Sequence, residues 1–342
     1  MRFLCLHGRG TNSDIFESQL GKRTRFLDYL RPSTRQGIHA DFFNGLAALV
    51  SRIAPHHTFD FVDAPFECSA APGISEVYPA PYLAWHSRYD PEYVSEVHDF
   101  LASVIEEDGP YDGIMGFSQG ASLAASLLLC HEHIRCSRPD EQLDPLFKVA
   151  IFFNAVMLFS PSREIGSNIT EAIKLQEEKH MGFLKGEPQF LPSPEFELLE
   201  TSSTTSSSAP IVFKMPNWSS TSSTSLSSLS SISSAEDEPS QEIKRARKRS
   251  VALESLSLLK APTVFGFPPE ITSYRIPIPT LHVMGAEDEF AEHSEKLVQL
   301  CRADKAEVMR VRDGGHDLPR TKTALDECAR LFDFVTMMAS LG

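Results

Sequence analysis

One short segment of the chain has the residue types needed for nucleophilic catalysis: Gly-Phe-Ser-Gln-Gly at 116–120. It follows a short apolar pattern typical of a strand and precedes a helical pattern over 121–129. A serine on such a strand-to-helix turn is held in a strained conformation that exposes its hydroxyl, and small residues two positions away let neighbouring backbones approach. Both glycines meet that need, so the segment predicts Ser118 as a nucleophile. The alternative is a glycine-flanked helix cap.

A serine hydroxyl is a weak nucleophile until a base removes its proton, and that base must be oriented by an acid. On a strand–turn–helix scaffold of this kind the acid and then the histidine follow the serine along the chain. His316 comes after the pair Gly314-Gly315, just past a predicted strand over 306–311. A glycine pair at that point allows a loop to carry the imidazole over the end of the sheet. We therefore predict His316 as the base.

The acid is expected after the preceding predicted strand, which covers residues 280–284. Asp288 follows this strand and comes 28 residues before the histidine, so it is the preferred acid. Glu287, Glu289 and Asp313 remain alternatives, and Asp288 would otherwise cap the next helix.

The first predicted strand leads into His-Gly-Arg-Gly at residues 7–10. Backbone amides from such a loop and from the residue after the nucleophile form the oxyanion hole in enzymes of this design. We predict the amides of Arg9 and Gln119 in that role. His7 is interpreted as a loop residue that pins the turn by hydrogen bonds.

No metal or organic cofactor is predicted. His131 and His133 are only two positions apart near a predicted helix end and would face different ways on a helix. The six cysteines show no Cys-x-x-Cys spacing, which indicates reduced thiols of an intracellular protein.

The composition excludes several classes of protein. The chain has 342 residues, of which 42% are hydrophobic and 23% charged, as in ordinary globular proteins, and its net charge of −14 disfavours nucleic-acid binding. No apolar run reaches the ~18 residues of a membrane span, and the apolar start over 1–6 is too short for a signal peptide. A cytoplasmic location is expected. The basic cluster over 244–249 allows a nuclear alternative, although a solvated charge run in a flexible loop explains it more simply.

A Ser/Thr-rich segment interrupts this composition. Between residues 201 and 235, 21 of 35 residues are Ser or Thr, and large aliphatic residues nearly vanish. Such a segment cannot bury enough apolar surface to offset the ordering cost of roughly 1–2 kcal/mol per residue. We predict a largely disordered insertion over 191–260 within a single domain that spans residues 1–342.

Short apolar runs alternate with longer amphipathic patterns in the rest of the chain. The apolar runs predict strands at residues 2–6, 59–62, 112–115, 149–153, 280–284 and 306–311. The amphipathic patterns predict helices at residues 92–106, 121–129, 293–302 and 321–338. This alternation predicts an α/β fold with a mostly parallel sheet covered by helices on both faces, and chemistry at the carboxyl ends of the strands.

The chain resembles the fungal serine hydrolase family of α/β-hydrolases, which is related to the human ovarian-cancer-associated serine hydrolase. The resemblance covers about residues 1–159 and 276–341. Its motifs are Leu-Cys-Leu-His-Gly at 4–8 with Asn12 and Phe16, Phe-Val-Asp-Ala-Pro at 61–65, the segment 111–120, Pro-Thr-Leu-His-Val-Met-Gly at 279–285 with Asp288, and Gly-Gly-His at 314–316. The resemblance implies a triad of Ser118, Asp288 and His316. It also implies an esterase or thioesterase of secondary metabolism, since several members resemble enzymes that release polyketide acyl chains from carrier proteins.

The expected function is therefore hydrolysis of an ester or thioester through an acyl-enzyme. Its expected partner is a small-molecule ester or acyl thioester, including one carried by an acyl-carrier domain of a polyketide synthase. Two alternatives remain: a general carboxylesterase for small free esters, and a non-catalytic binding protein on the same fold.

Overall fold

A computed structural model describes residues 1–20, 49–53, 56–174 and 263–341 of the chain. Its central sheet has six strands: β1 (Arg2–Leu6), β2 (Thr58–Val62), β5 (Gly113–Phe117), β6 (Val149–Phe153), β9 (Thr280–Gly285) and β10 (Ala306–Val311). Their order across the sheet is β10-β9-β6-β5-β1-β2, and all five strand pairings are parallel. Two short antiparallel pairs accompany the sheet: β3 (Phe66–Glu67) with β4 (Leu83–Ala84), and β7 (Ser167–Asn168) with β8 (Phe265–Gly266).

Helices cover both faces of the sheet. They are α1 (Ser13–Leu20), α2 (Leu49–Ile53), α3 (Pro91–Asp108), α4 (Gln119–Ser137), α5 (Ala291–Gln299) and α6 (Lys322–Leu341). Buried residues of α3, α4 and α5 pack in one core cluster, and those of α1, α2 and α6 pack in another. The predicted α/β architecture, with a parallel sheet between two helical layers, is confirmed.

The alternation of side chains along each strand separates the two cores. On β1, Leu4 and Leu6 belong to the first cluster, whereas Phe3 and Cys5 belong to the second. Successive side chains of a strand point to opposite faces, so a strand covered on both sides is apolar throughout. This is why the continuous apolar runs of the sequence predicted the strands well.

Several predicted helix ends differ from the structure, and two of the differences have a clear local cause. The helix predicted over 121–129 extends to Ser137, because its polar last turns are stabilised by an Arg135–Glu132 ion pair and by the bond from Arg135 Nε to the Leu143 carbonyl. The helix predicted over 293–302 ends at Gln299, because the backbone after it is bound to Ile276 instead.

The predicted insertion over 191–260 and the basic cluster over 244–249 lie outside the described residues. Within the described ranges, no helix combines the length and apolar character that crossing a bilayer requires. In the same ranges, no three His, Cys, Asp or Glu side chains form a cluster suited to a metal ion.

Candidate active site

Ser118 lies between the end of β5 and the start of α4, with φ 53° and ψ −117°. This positive φ is rare for a residue with a side chain and marks a sharp, strained turn. The flanking glycines are required by space: a Cβ at Gly116 would lie 2.5 Å from the Ala121 nitrogen, and one at Gly120 would lie 2.3 Å from the Leu6 carbonyl oxygen. The predicted strand-to-helix turn is therefore present at Ser118.

The structure brings the three predicted side chains together at the carboxyl edge of the sheet. His316 Nε2 lies 2.8 Å from Ser118 Oγ, and His316 Nδ1 lies 2.9 Å from Asp288 Oδ2. Because a carboxylate only accepts hydrogen bonds, Nδ1 carries the proton and Nε2 is free to accept the serine proton. The arrangement has the geometry of a nucleophile, a base and an orienting acid.

Asp288 is the carboxylate that contacts the histidine. The residue is 6% exposed, and its second oxygen, Oδ1, accepts the Phe290 backbone N–H at 2.8 Å. The three alternatives, Glu287, Glu289 and Asp313, are exposed to solvent. Burial and two hydrogen bonds hold Asp288 in one orientation, as an acid that fixes an imidazole requires.

Close backbone packing joins the loop of Asp288 to the loop of His316. The Glu287 amide donates to the Gly314 carbonyl at 2.9 Å. A Cβ at Gly285 would lie 2.2 Å from the carbonyl oxygens of both Gly314 and Gly315, so only glycine fits there. The two loops can therefore pack this closely only if Gly285 is retained.

Two aromatic rings flank the imidazole. The ring centroid of Phe117 lies 5.4 Å from that of His316, and Phe290 makes an edge contact at 5.1 Å. These contacts restrict rotation of the His316 ring about its side-chain bonds and keep Nε2 directed at the serine.

The glycine-rich loop after β1 approaches the nucleophile as predicted. A Cβ at Gly8 would lie 3.4 Å from the Cβ of Ser118. The amide of Gly10 donates to the Leu83 carbonyl, and that of Ser118 donates to the Phe153 carbonyl. These two amides are therefore engaged elsewhere, and the assignment of the oxyanion hole to the amides of Arg9 and Gln119 stays a prediction.

His7 pins this loop by hydrogen bonds, which confirms its interpretation. Its Nδ1 donates to the Gly8 carbonyl at 2.7 Å, and its Nε2 accepts the Ala64 amide at 3.0 Å. Burial lowers the pKa of His7 to about 4, so the ring stays neutral and keeps this bonding pattern at neutral pH.

The side chain of Gln119 has a role that the sequence analysis missed. Its Oε1 accepts the Trp85 amide at 2.9 Å, and its Nε2 donates to the His86 carbonyl at 2.7 Å. The indole of Trp85 in turn donates to the His7 carbonyl at 2.8 Å. Gln119 therefore binds the segment after β4 to the nucleophile turn. Because the two segments are distant in the chain, no local sequence pattern predicts this contact.

Two further histidines are buried away from this site. Burial lowers the pKa of His131 to about 4 and that of His282 to about 3, and the His282 ring bonds to Thr280 on its own strand. Both are core residues.

Residues 1–328 match the family described as Serine hydrolase (FSH1). The chain belongs to this serine hydrolase family. Membership confirms the resemblance deduced from the sequence motifs, and the fold is that of an α/β-hydrolase.

Relatives of this family member carry names of esterases and hydrolases. Esterase alnB of Emericella nidulans is 28% identical over 323 residues, which cover 94% of this chain and 91% of that relative. Hydrolase FUB4 of Gibberella moniliformis is 28% identical over 340 residues, which cover 97% of each chain. Esterase FPY3 of Fusarium mangiferae is 33% identical over 156 residues, or 45% of this chain and 57% of that relative.

Solved structures resemble the chain more distantly. A carboxylesterase of Bacillus cereus is 13% identical with a TM-score of 0.38, covering 97% of this chain and 87% of that one. A monoacylglycerol lipase of Paleococcus ferrophilus is 12% identical with a TM-score of 0.41, covering 100% and 95%. The fold assignment rests on the strand pairing and on the family.

Proposed function

We propose that the chain hydrolyses esters or thioesters through an acyl-enzyme formed on Ser118. The observation that carries the proposal is the continuous chain of hydrogen bonds from Ser118 through His316 to Asp288, at 2.8 and 2.9 Å. A nucleophile with a base in hydrogen-bond reach, and a third group that orients the base, is the signature of covalent acyl transfer.

In the first half of the reaction His316 Nε2 takes the proton of Ser118 Oγ as the oxygen attacks the substrate carbonyl. The carbonyl oxygen becomes an oxyanion, which the amides of Arg9 and Gln119 stabilise. The imidazolium then gives its proton to the departing oxygen or sulfur, and Asp288 stabilises the imidazolium while it is charged. The product is an ester between the acyl group and Ser118.

In the second half a water molecule takes the place of the leaving group. His316 Nε2 removes a proton from this water as it attacks the acyl-enzyme, and returns a proton to Ser118 Oγ as the acid departs. The same residues serve both halves, so no cofactor enters the balance.

For the substrate, we propose an ester or thioester of fungal secondary metabolism, including a polyketide chain on an acyl-carrier domain. The names of the relatives, esterase alnB and esterase FPY3, support the ester chemistry. A thioester uses the same steps with a thiol as the leaving group. A carboxylesterase of small free esters is the second candidate, since its steps are identical.

A fluorophosphonate probe tests the nucleophile, because it phosphonylates only an activated serine. Wild type is expected to be labelled, Ser118→Ala not at all, and Ser103→Ala at the wild-type rate, since the Ser103 hydroxyl donates to the Asp99 carbonyl of its own helix, α3. Labelling that survives Ser118→Ala would misplace the nucleophile. A wild type that is not labelled would favour the non-catalytic binding protein.

Two acyl donors with the same butyryl group separate the substrate classes. We expect hydrolysis of both p-nitrophenyl butyrate and the butyryl thioester of N-acetylcysteamine. The preference is the ratio of kcat/KM for the thioester to kcat/KM for the ester, divided by the ratio of their uncatalysed hydrolysis rates. A preference of roughly tenfold or more supports an acyl-carrier substrate. The reverse preference supports the carboxylesterase.

The cytoplasmic location is also part of the proposal, with the nuclear alternative based on residues 244–249. Fluorescence of the tagged full chain and of a deletion of these six residues tests both. A nuclear signal that the deletion abolishes would favour the alternative.

A further inference from the structure

The carboxyl end of β6 touches all three loops of the candidate active site. The Phe153 carbonyl accepts the Ser118 amide at 2.9 Å, which ties the nucleophile turn to this strand. The next residue, Asn154, is 1% exposed and has φ 45°. Asn154 directly follows the last residue of β6.

The Asn154 side chain joins the acid loop to the base loop. Its Oδ1 accepts the Gly285 amide at 2.9 Å, at the start of the loop that ends in Asp288. Its Nδ2 donates to the carbonyl of Asp317 at 2.6 Å, directly after His316 in the chain. One short amide therefore bonds to both loops, directly after the strand that also accepts a hydrogen bond from the nucleophile turn.

Asparagine is suited to this position in two ways. It supplies one donor group and one acceptor on a short side chain, which neither aspartate nor alanine does. It also tolerates a positive φ better than most residues with a Cβ. At 1% exposure no bulk water replaces either bond, so both partners depend on this side chain.

We propose that Asn154 is a positioning residue of the hydrolase, which holds the Asp288 and His316 loops in register with the turn of Ser118. This inference rests on the proposed function, because the register matters only if the three side chains react together. A misplacement of catalytic groups by about 1 Å can cost on the order of 10²-fold in rate. Asn154 acts on the reaction through the loops and touches no reacting atom.

Two substitutions separate this role from a contribution to folding alone. Asn154→Gly removes both amide bonds and accommodates the positive φ, whereas Asn154→Ala removes the same bonds and adds backbone strain. We expect both variants to lower kcat by roughly 10²-fold with KM within about twofold of wild type. Alanine should lower the Tm further than glycine does, without a further loss of kcat.

Asp112→Ala is the matched control. Asp112 lies at the amino end of β5 and also makes two side-chain bonds, with the Arg2 amide at 3.0 Å and Lys148 Nζ at 2.7 Å. Its loss should lower the Tm and leave kcat at the wild-type value. The rate of fluorophosphonate labelling should fall in both Asn154 variants and stay unchanged in the control.

Several outcomes would overturn the inference. Wild-type kcat and labelling rate in Asn154→Gly would show that the amide positions nothing. A kcat that falls in proportion to the Tm across all three variants would reduce Asn154 to a stabilising residue. A wild type that is not labelled would instead overturn the proposed function, and the inference with it.

Discussion

The two ends of the same parallel strands are held together by different kinds of contact. At the amino ends, Arg2, Asp112 and Lys148 begin or directly precede three adjacent strands. Lys148 and Asp112 form an ion pair at 2.7 Å, with side chains 64% and 32% exposed. At the carboxyl ends, the hydrogen bonds are buried or partly buried, and two residues, Ser118 and Asn154, have positive φ.

This difference indicates which positions tolerate substitution. An exposed ion pair contributes little, because both charges remain solvated when it breaks. Buried amide bonds, strained turns and glycines without room for a Cβ cannot be replaced by water or by a different side chain. We therefore expect substitutions at the carboxyl ends to affect the rate of reaction, and those at the amino ends to affect stability alone.

The largest effect is expected at the buried acid. Asp288→Asn keeps the shape of the side chain but removes the charge and disturbs the tautomer of His316, so kcat should fall by roughly 10³–10⁴-fold. Glu289→Gln, at the exposed neighbour, should stay within a few-fold of wild type. Steady-state kinetics with an ester substrate measure both. An equal loss of kcat in the two variants would contradict the assignment of Asp288 as the acid.

A smaller effect is expected where the acid and base loops meet. Gly285→Ala places a Cβ 2.2 Å from two carbonyl oxygens of the base loop, so that loop must shift. We expect kcat to fall by about 10²-fold. Gly315→Ala, which meets nothing within 4 Å, should retain most of the activity. Similar rates for the two variants would contradict the close packing of the loops.

The two ends of the sheet should also respond to different ranges of pH. Burial lowers the pKa of His7 to about 4 in the folded chain, whereas the unfolded chain binds a proton on this residue below pH about 6.5. The contribution of His7 to the free energy of unfolding is therefore fully present above pH about 6.5 and is lost as the pH falls toward 4. Relative to a His7→Gln variant, wild type should lose about 2 kcal/mol between pH 7.5 and pH 5.

Urea unfolding of both proteins at the two pH values measures this difference. Other buried histidines, such as His86 and His98, titrate alike in wild type and variant, so the comparison isolates His7. Parallel losses of stability in the two proteins would show that His7 is not the group responsible.

The smallest effect is expected at the amino ends. The hydrogen bond from Lys148 lowers the pKa of Asp112, so its stabilisation is present above the ordinary carboxyl value of about 4 and is lost as the pH falls through the lowered pKa. Asp112→Ala should cost about 1 kcal/mol of unfolding free energy at pH 7 and less at pH 3. A change in kcat would contradict the division between the two ends.

The sequence predicted the parts of the molecule that local patterns encode. The inner strands β5, β6 and β9 are buried along their whole length, and their apolar runs predicted them. The turn at Ser118 was predicted from two glycines at fixed distances from the serine. The structure added burial, which distinguishes Asp288 from the exposed Glu287, Glu289 and Asp313. Spacing alone left these carboxylates as alternatives.

Contacts between distant segments were out of reach of the sequence. Asn154 bonds to residues 131 and 163 positions away, and nothing in the neighbouring residues marks it. The same is true of the Gln119 side chain, whose partners come from a segment 33 and 34 positions earlier. Such residues become visible only when the chain has brought its loops together.

The small pair of strands β7 and β8 has a practical consequence. Ser167–Asn168 pairs with Phe265–Gly266, and the Val264 amide donates to Thr170 Oγ1 at 2.9 Å, so the chain departs and returns through adjoining positions. Because the entropy cost of closing a loop grows slowly with its length, a junction of this kind tolerates long insertions. We therefore expect that a reporter domain with adjacent termini, inserted between residues 174 and 263, leaves the order of the strands unchanged.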